Sequence, residues 1–110
     1  MMQNRGGSTA GSEIDLHGLP VADALSRLTS HYNGRVRAGD TGPIRVVHGY
    51  GSSGRGGDLR AAVREFLVRN GTRLEFAPGE KFFNNPGVTI VYPKQPLPAP
   101  ASHRRLLVKK

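Results

Sequence analysis

The sequence predicts a two-layer α/β sandwich of βαβαββ order, in which a four-stranded mixed sheet is covered by two helices. Three observations carry this. A polar–apolar alternation occupies residues 13–17, two stretches place apolar residues at i, i+3, i+4 and i+7, and short β-branched runs separate and follow them. A strand, helix, strand series implies right-handed crossovers and parallel neighbouring strands.

Residues 1–12 are polar and rich in Gly and Ser, without periodicity, and are expected to be disordered. Glu13-Ile14-Asp15-Leu16-His17 then reads as a strand whose polar face is Glu13, Asp15 and His17. Gly18 ends it, and Pro20 suits the first turn of a helix. Val21, Ala24, Leu25, Leu28, Tyr32 and Val36 form that helix's buried stripe. The stripe stays in phase past Asn33-Gly34, so the helix runs to about Ala38 and Gly39 caps it, although an internal glycine costs about 1 kcal/mol relative to alanine. Residues 44–47 are a short β-branched run suited to a strand buried on both faces.

Five glycines then fall within residues 49–57. Asp58 is the N-cap candidate for a second helix, with apolar residues Leu59, Ala62, Val63, Phe66 and Leu67 and a stop at Asn70-Gly71. Residues 73–76 read as the third strand, residues 78–87 as a turn-rich loop, and residues 88–92 as the fourth strand, ended by Pro93. From Pro96 the chain is Pro/Ala-rich and then basic, which predicts a mobile tail over residues 96–110. The expected folded unit is residues 13–95.

At 110 residues the chain has room for one domain with a shallow groove rather than an enclosed active site. It has no cysteine, which excludes disulfides, thiolate metal sites and a cysteine nucleophile. No apolar run approaches the length of a membrane span, so no membrane partner is expected, and the expectation is a soluble, cytoplasmic monomer. The net charge of +8 points to a polyanionic partner, although Arg104, Arg105, Lys109 and Lys110 supply half of the excess.

Two strands expected to be parallel end in His-Gly, at His17-Gly18 and at His48-Gly49, so both pairs belong at one edge of the sheet, where ligands of α/β folds collect. Asp15 and His17 together offer a carboxylate and an imidazole that takes up a proton near neutrality. The carboxylate would orient the ring or hold a metal ion. With RNA as substrate, His17 and His48 would serve as base and acid and the 2′-hydroxyl as nucleophile, and no metal would be needed. Mg²⁺ or Mn²⁺ is the ion expected if Asp15 holds one.

The glycine loop, with Gly49, Gly51, Ser52, Ser53 and Gly54, is a candidate cradle for phosphate, because it brings main-chain N–H groups to a helix N-terminus. Gly49-Tyr50-Gly51-Ser52-Ser53-Gly54 matches a dinucleotide fingerprint, but a four-stranded domain lacks the second half of that fold. A triphosphate-binding loop is set aside because Arg55-Gly56 stands where Lys-Ser/Thr is required. Tyr50 can stack on an unpaired base. Arg45, Arg55, Arg60, Arg64, Arg69 and Arg73 surround the loop and the second helix, with Arg60 and Arg64 four apart on one face, spaced to follow a phosphate backbone.

These residues resemble the Smr domain, the small MutS-related module. The resemblance rests on Ile14-Asp15-Leu16-His17-Gly18, on His48-Gly49-Tyr50-Gly51, on the amphipathic residues 59–67, and on Gly87-Val88-Thr89-Ile90-Val91, in that order over about residues 13–92. It implies a fold like the C-terminal domain of translation initiation factor three and nucleic-acid binding, with endonuclease activity in many members. By position, Asp15 and His17 match the segment credited with cleavage, and His48, Gly49 and Gly51 the loop credited with holding nucleic acid. Some members act on ribosome-associated messenger RNA, so the ribosome is an implied partner. Tyr50 stands where a lysine or threonine is common, and residues 52–57 lengthen the loop, which would start the second helix farther from a bound phosphate.

The reading is therefore a nucleic-acid-binding domain with endonuclease activity, RNA slightly favoured over DNA. The alternatives are a non-catalytic nucleic-acid or ribosome-binding module and a binder of small phosphorylated ligands.

Overall fold

The computed structural model describes residues 11–49, 55–83 and 85–98. The expectations for residues 1–10 and 99–110 lie outside the described residues.

The strands are β1 (Ser12–Asp15), β2 (Ile44–Val47), β3 (Leu74–Pro78) and β4 (Val88–Pro93), and the helices are α1 (Val21–Arg37), α2 (Arg55–Arg69) and the single turn α3 (Glu80–Phe83). They form one four-stranded sheet of order β1-β2-β4-β3. β1 and β2 are parallel, and β4 is antiparallel to both β2 and β3. The two crossovers, β1 to β2 and β2 to β3, advance across the sheet in the same direction. Right-handedness therefore puts α1 and α2 on one face. The fourth strand folds back between β2 and β3, which makes the sheet mixed, as the element order predicts.

The alternation of β2 sets the core. Ile44 and Val46 point at the helices and are buried, whereas Arg45 and Val47 are half-buried on the other face. This corrects the expectation of a strand buried on both faces, since both helices lie on one side. Ile44 and Val46 pack with Val91, Leu74, Leu16, and the stripes Ala24, Leu28 and Tyr32 of α1 and Leu59, Val63, Phe66 and Leu67 of α2. Val21 instead begins α1 at 37% exposure, outside that core.

Helix α1 ends as its sequence directs. The Asp40 N–H donates to the Arg35 carbonyl and the Gly39 N–H to the Val36 carbonyl, with Gly39 at φ +78°. This double closure needs a left-handed residue, which glycine adopts without steric cost. The buried Asp40 carboxylate then accepts from the Arg35 guanidinium and from the Gly42 N–H.

Strand β1 begins at Ser12, inside the stretch expected to be disordered, with its N–H donating to the Pro43 carbonyl (2.9 Å), and two later boundaries also differ from expectation. Helix α2 starts at Arg55 rather than after Asp58, so Gly56 and Gly57 lie in its first turn and the connecting loop is shorter than the sequence indicates. At the other end of the chain the packed part continues past Gln95. Leu97 is 5% exposed and belongs to the core, with its N–H donating to Asn33 Oδ1 (2.7 Å) and its carbonyl accepting from Asn33 Nδ2 (2.9 Å). The Tyr32 hydroxyl donates to the Gln95 carbonyl (2.7 Å). The Pro/Ala-rich composition hides this strap, because a lone leucine carries no periodicity.

Candidate nucleic-acid interface and cleavage site

The register Asp15↔Val47 ends β1 and β2 side by side. One further ladder bond, from the Leu16 N–H to the Val47 carbonyl (2.7 Å), carries the buried Leu16 into place, and the chain then turns at His17 and Gly18, the latter at φ +81°. His17 therefore lies in the turn, outside the strand. It meets Asp15 for a different reason from the strand alternation expected. Asp15 Oδ1 accepts both the His17 backbone N–H (3.1 Å) and the His17 ring at Nδ1 (2.6 Å). A carboxylate that only accepts fixes Nδ1 as the protonated nitrogen, so Nε2 is left to face outward. Both side chains are exposed, His17 by 69% and Asp15 by 53%. The bond from His17 is the main cause that holds the Asp15 carboxyl below its usual 3.8.

His48 does not join them at the surface. Its ring is 0% exposed. Nδ1 lies 2.8 Å from the Gly49 carbonyl and Nε2 2.8 Å from Thr89 Oγ1. Burial is the largest influence on the ring and pushes its pKa below 6.5, opposed by the Gly49 bond, and the nearby Arg64 and Arg60 charges lower it further. The neutral ring donates from Nδ1 to the carbonyl and accepts the Thr89 hydroxyl at Nε2. This burial corrects the expectation that His48 contacts substrate as the second imidazole.

Gly49 still brings the two strand ends together. It sits at φ +80°, and a Cβ placed on it would lie 3.7 Å from the His17 Cβ. The His48 and Gly49 N–H groups both donate to the Gly87 carbonyl, at 2.9 and 3.0 Å. These two amides are thus spent within the fold, and a phosphate cradle would be built from later residues. Tyr50, Gly51, Ser52, Ser53 and Gly54 lie outside the described residues, and Arg55 is placed only as the first residue of α2.

The arginines divide. Arg64 faces inward: Nε donates to Thr89 Oγ1 (2.9 Å), Nη2 to the Val88 carbonyl (3.2 Å), and the guanidinium grips Glu80 at 2.8 and 3.3 Å. It is a structural clamp, which corrects its expected role on a phosphate backbone. Arg69 pairs with Glu65 and Arg45 with Glu13. Arg60, one turn before Arg64, is half-buried and forms no ion pair among the described residues. A cavity of about 240 Å³ is lined by Leu19, Pro20, Val21, Asp58 and Leu59, between the turn after His17 and the start of α2. No cluster of three or more His, Cys, Asp or Glu side chains suited to a metal occurs among the described residues.

Thr89 and Glu80 escaped the sequence reading. Thr89 shares the inward phase of Val91 on β4, and a hydroxyl on a buried face must find a partner. That phase was the signal available for it.

Comparison with known protein families matches residues 14–94 to the Smr domain. The chain is a member of the Smr domain family. The crystal structure of the Smr domain of Thermus thermophilus MutS2 superimposes on this Smr domain with a TM-score of 0.63 and 34% identity, covering 76% of this chain and 98% of that one. Among full-length relatives, the Smr domain is similar to Endonuclease MutS2 of Thermomicrobium roseum, 39% identical over 80 residues (73% of this chain, 10% of the relative). It is likewise similar to Endonuclease MutS2 of Geobacillus kaustophilus, 37% identical over 79 residues (72% of this chain, 9% of the relative). The chain spans about a tenth of the length of the curated relatives it matches.

Proposed function

We propose that this Smr domain binds nucleic acid and cleaves its phosphodiester backbone, RNA slightly ahead of DNA, with Asp15 and His17 as the catalytic pair. The observation that carries the reading is the exposed dyad: one imidazole, oriented by a carboxylate through Nδ1, with Nε2 presented to solvent. Its similarity to proteins named Endonuclease MutS2 supports the same class of reaction. Such a dyad supplies a general base and no nucleophile. RNA brings its own: His17 Nε2 takes the 2′-hydroxyl proton, the oxygen attacks phosphorus, and the bond to the 5′-oxygen breaks, with the leaving oxygen taking a proton from water. The products are a 2′,3′-cyclic phosphate and a 5′-hydroxyl. Arg60 and the glycine loop would hold the backbone while this occurs.

Labelled single-stranded RNA and structured DNA, incubated with wild type, Asp15→Asn and His17→Ala with and without Mg²⁺ or Mn²⁺, test the reading. Loss of a general base lowers kcat by about 10²- to 10⁴-fold, so His17→Ala should lose at least 100-fold with RNA binding largely kept. Wild-type protein that binds but cleaves neither substrate would leave a non-catalytic nucleic-acid or ribosome-binding module, and His17→Ala at wild-type rate would remove the dyad from the mechanism.

A further inference from the structure

The strand segment Val88-Thr89-Ile90-Val91 carries a buried hydroxyl that the cleavage pair does not use, and its partners form one continuous line. Glu80, at the start of α3, holds the Arg64 guanidinium from one side. Arg64 Nε–H donates to Thr89 Oγ1 on the other. The Thr89 hydroxyl keeps its own proton, and it gives that proton to His48 Nε2 at 2.8 Å, because the other ring nitrogen is the protonated one. His48 then has one nitrogen left, Nδ1, and it faces the Gly49 carbonyl, which can only accept. The chain of donors runs in one direction, from α2 through β4 to the residue whose Cβ position touches the His17 side chain.

We infer that Thr89, Arg64 and Glu80 are positioning residues for the proposed site: they fix buried His48 in one orientation and one tautomer, and through the Gly49 carbonyl they hold the start of the glycine loop against His17. The inference rests on the reading of Asp15 and His17 as the cleavage pair. The arrangement is directional, which a merely space-filling core would not require. Valine at position 89 fills the same volume but neither accepts from Arg64 nor donates to His48, so Nε2 loses its donor and the ring can take the other tautomer or turn. In that case the Gly49 carbonyl loses its tie, and the peptide beside His17 is free to rotate. Serine keeps the hydroxyl. Glutamine at position 80 keeps the shape of the side chain and removes the charge that grips Arg64.

The test uses the full chain as wild type, Thr89→Val, Thr89→Ser and Glu80→Gln, read in two ways. Imidazole ¹⁵N–¹H correlation spectra should show His48 with Nδ1 protonated and Nε2 bare in wild type and Thr89→Ser. In Thr89→Val this pattern should give way to the other tautomer or a mixture, with shifted or broadened amide signals at Gly49 and His17. On labelled RNA, Thr89→Val should lower kcat about 10- to 100-fold, the scale of small misplacements remote from the chemistry, with KM changed less than about threefold, and Thr89→Ser should restore it. If Thr89→Val does not fold, Glu80→Gln decides: broadened His48 ring signals and a displaced Gly49 amide support the inference. A folded Thr89→Val, or Glu80→Gln in its place, whose His48 tautomer and Gly49 and His17 amides match wild type overturns it. Equal inactivity of wild type and His17→Ala would instead overturn the cleavage reading, while the ring and amide signals still decide whether this line of residues positions the loop.

Discussion

His17 and His48 each precede a glycine at the end of a strand, and burial separates them completely. The sequence presents the two pairs as equals. Their difference comes from sheet order: His17 follows an edge strand and turns outward, whereas His48 follows a central strand and lies beneath Thr89 of β4. Nothing local to residues 48–51 says that β4 returns between β2 and β3, so the sequence could bring Asp15 and His17 together but could not show that His48 is buried. Gly79 shows a second residue-scale constraint. A Cβ there would lie 2.5 Å from the Asn85 carbonyl oxygen and 2.7 Å from that of Val88, both backbone atoms that cannot swing away. Gly79→Ala should therefore lower stability by about 1–3 kcal/mol, as overpacking does, seen as a lower urea midpoint. An unchanged midpoint would show that the α3 turn yields without cost.

The helices were legible from their apolar stripes, and their ends were not equally so. The C-terminus of α1 was marked by Gly39, which supplies the left-handed residue the closure needs. The N-terminus of α2 was obscured because Gly56 and Gly57 are poor helix formers, and their low propensity is overridden once Leu59 and Val63 are docked in the core. The strap after β4 was missed for the opposite reason, since its single apolar anchor sits among prolines. Its contribution is measurable. Leu97→Ala should lose about 2–4 kcal/mol, the range for leucine truncation in a core. Asn33→Ala should lose about 1–3 kcal/mol by leaving both backbone groups of Leu97 without partners. Urea unfolding of the two variants checks both figures, and a loss below about 0.5 kcal/mol in each would mean that the strap contributes little to the fold.

At the scale of the whole molecule, ionisable groups shifted by burial or by hydrogen bonds set the response to acid. Burial is the first cause that pushes His48 and His31 below 6.5. The unfolded chain therefore takes up protons at mildly acid pH that the folded chain refuses, and stability falls as pH drops below about 6.5. Asp40 and Asp15 are held below 3.8, first by the bonds from Arg35 and from His17 respectively. Their contribution is complete above that value and is lost as pH falls through the lowered ones. The melting temperature followed by circular dichroism should thus be level above pH 7, decline from about pH 6.5, and fall more steeply below pH 4. A level profile between pH 7 and pH 5 would contradict the histidine assignment.

The antiparallel pairing of β2 with β4, Ile44↔Val91 to Val47↔Val88, joins the first half of the chain to the second, beside the packing of α1 on α2 and the bonds of Tyr32 and Asn33 to the strap. Division of the chain within residues 50–54 would leave two fragments, β1-α1-β2 and α2-β3-β4, each with one strand edge and one helix face stripped of its partner. Those bare surfaces are complementary to each other, in register and in side chains. Residues 50–54 then serve as the covalent link between two mutually templating fragments, and the cohesion of the molecule lies in the strand and helix surfaces that the two halves share.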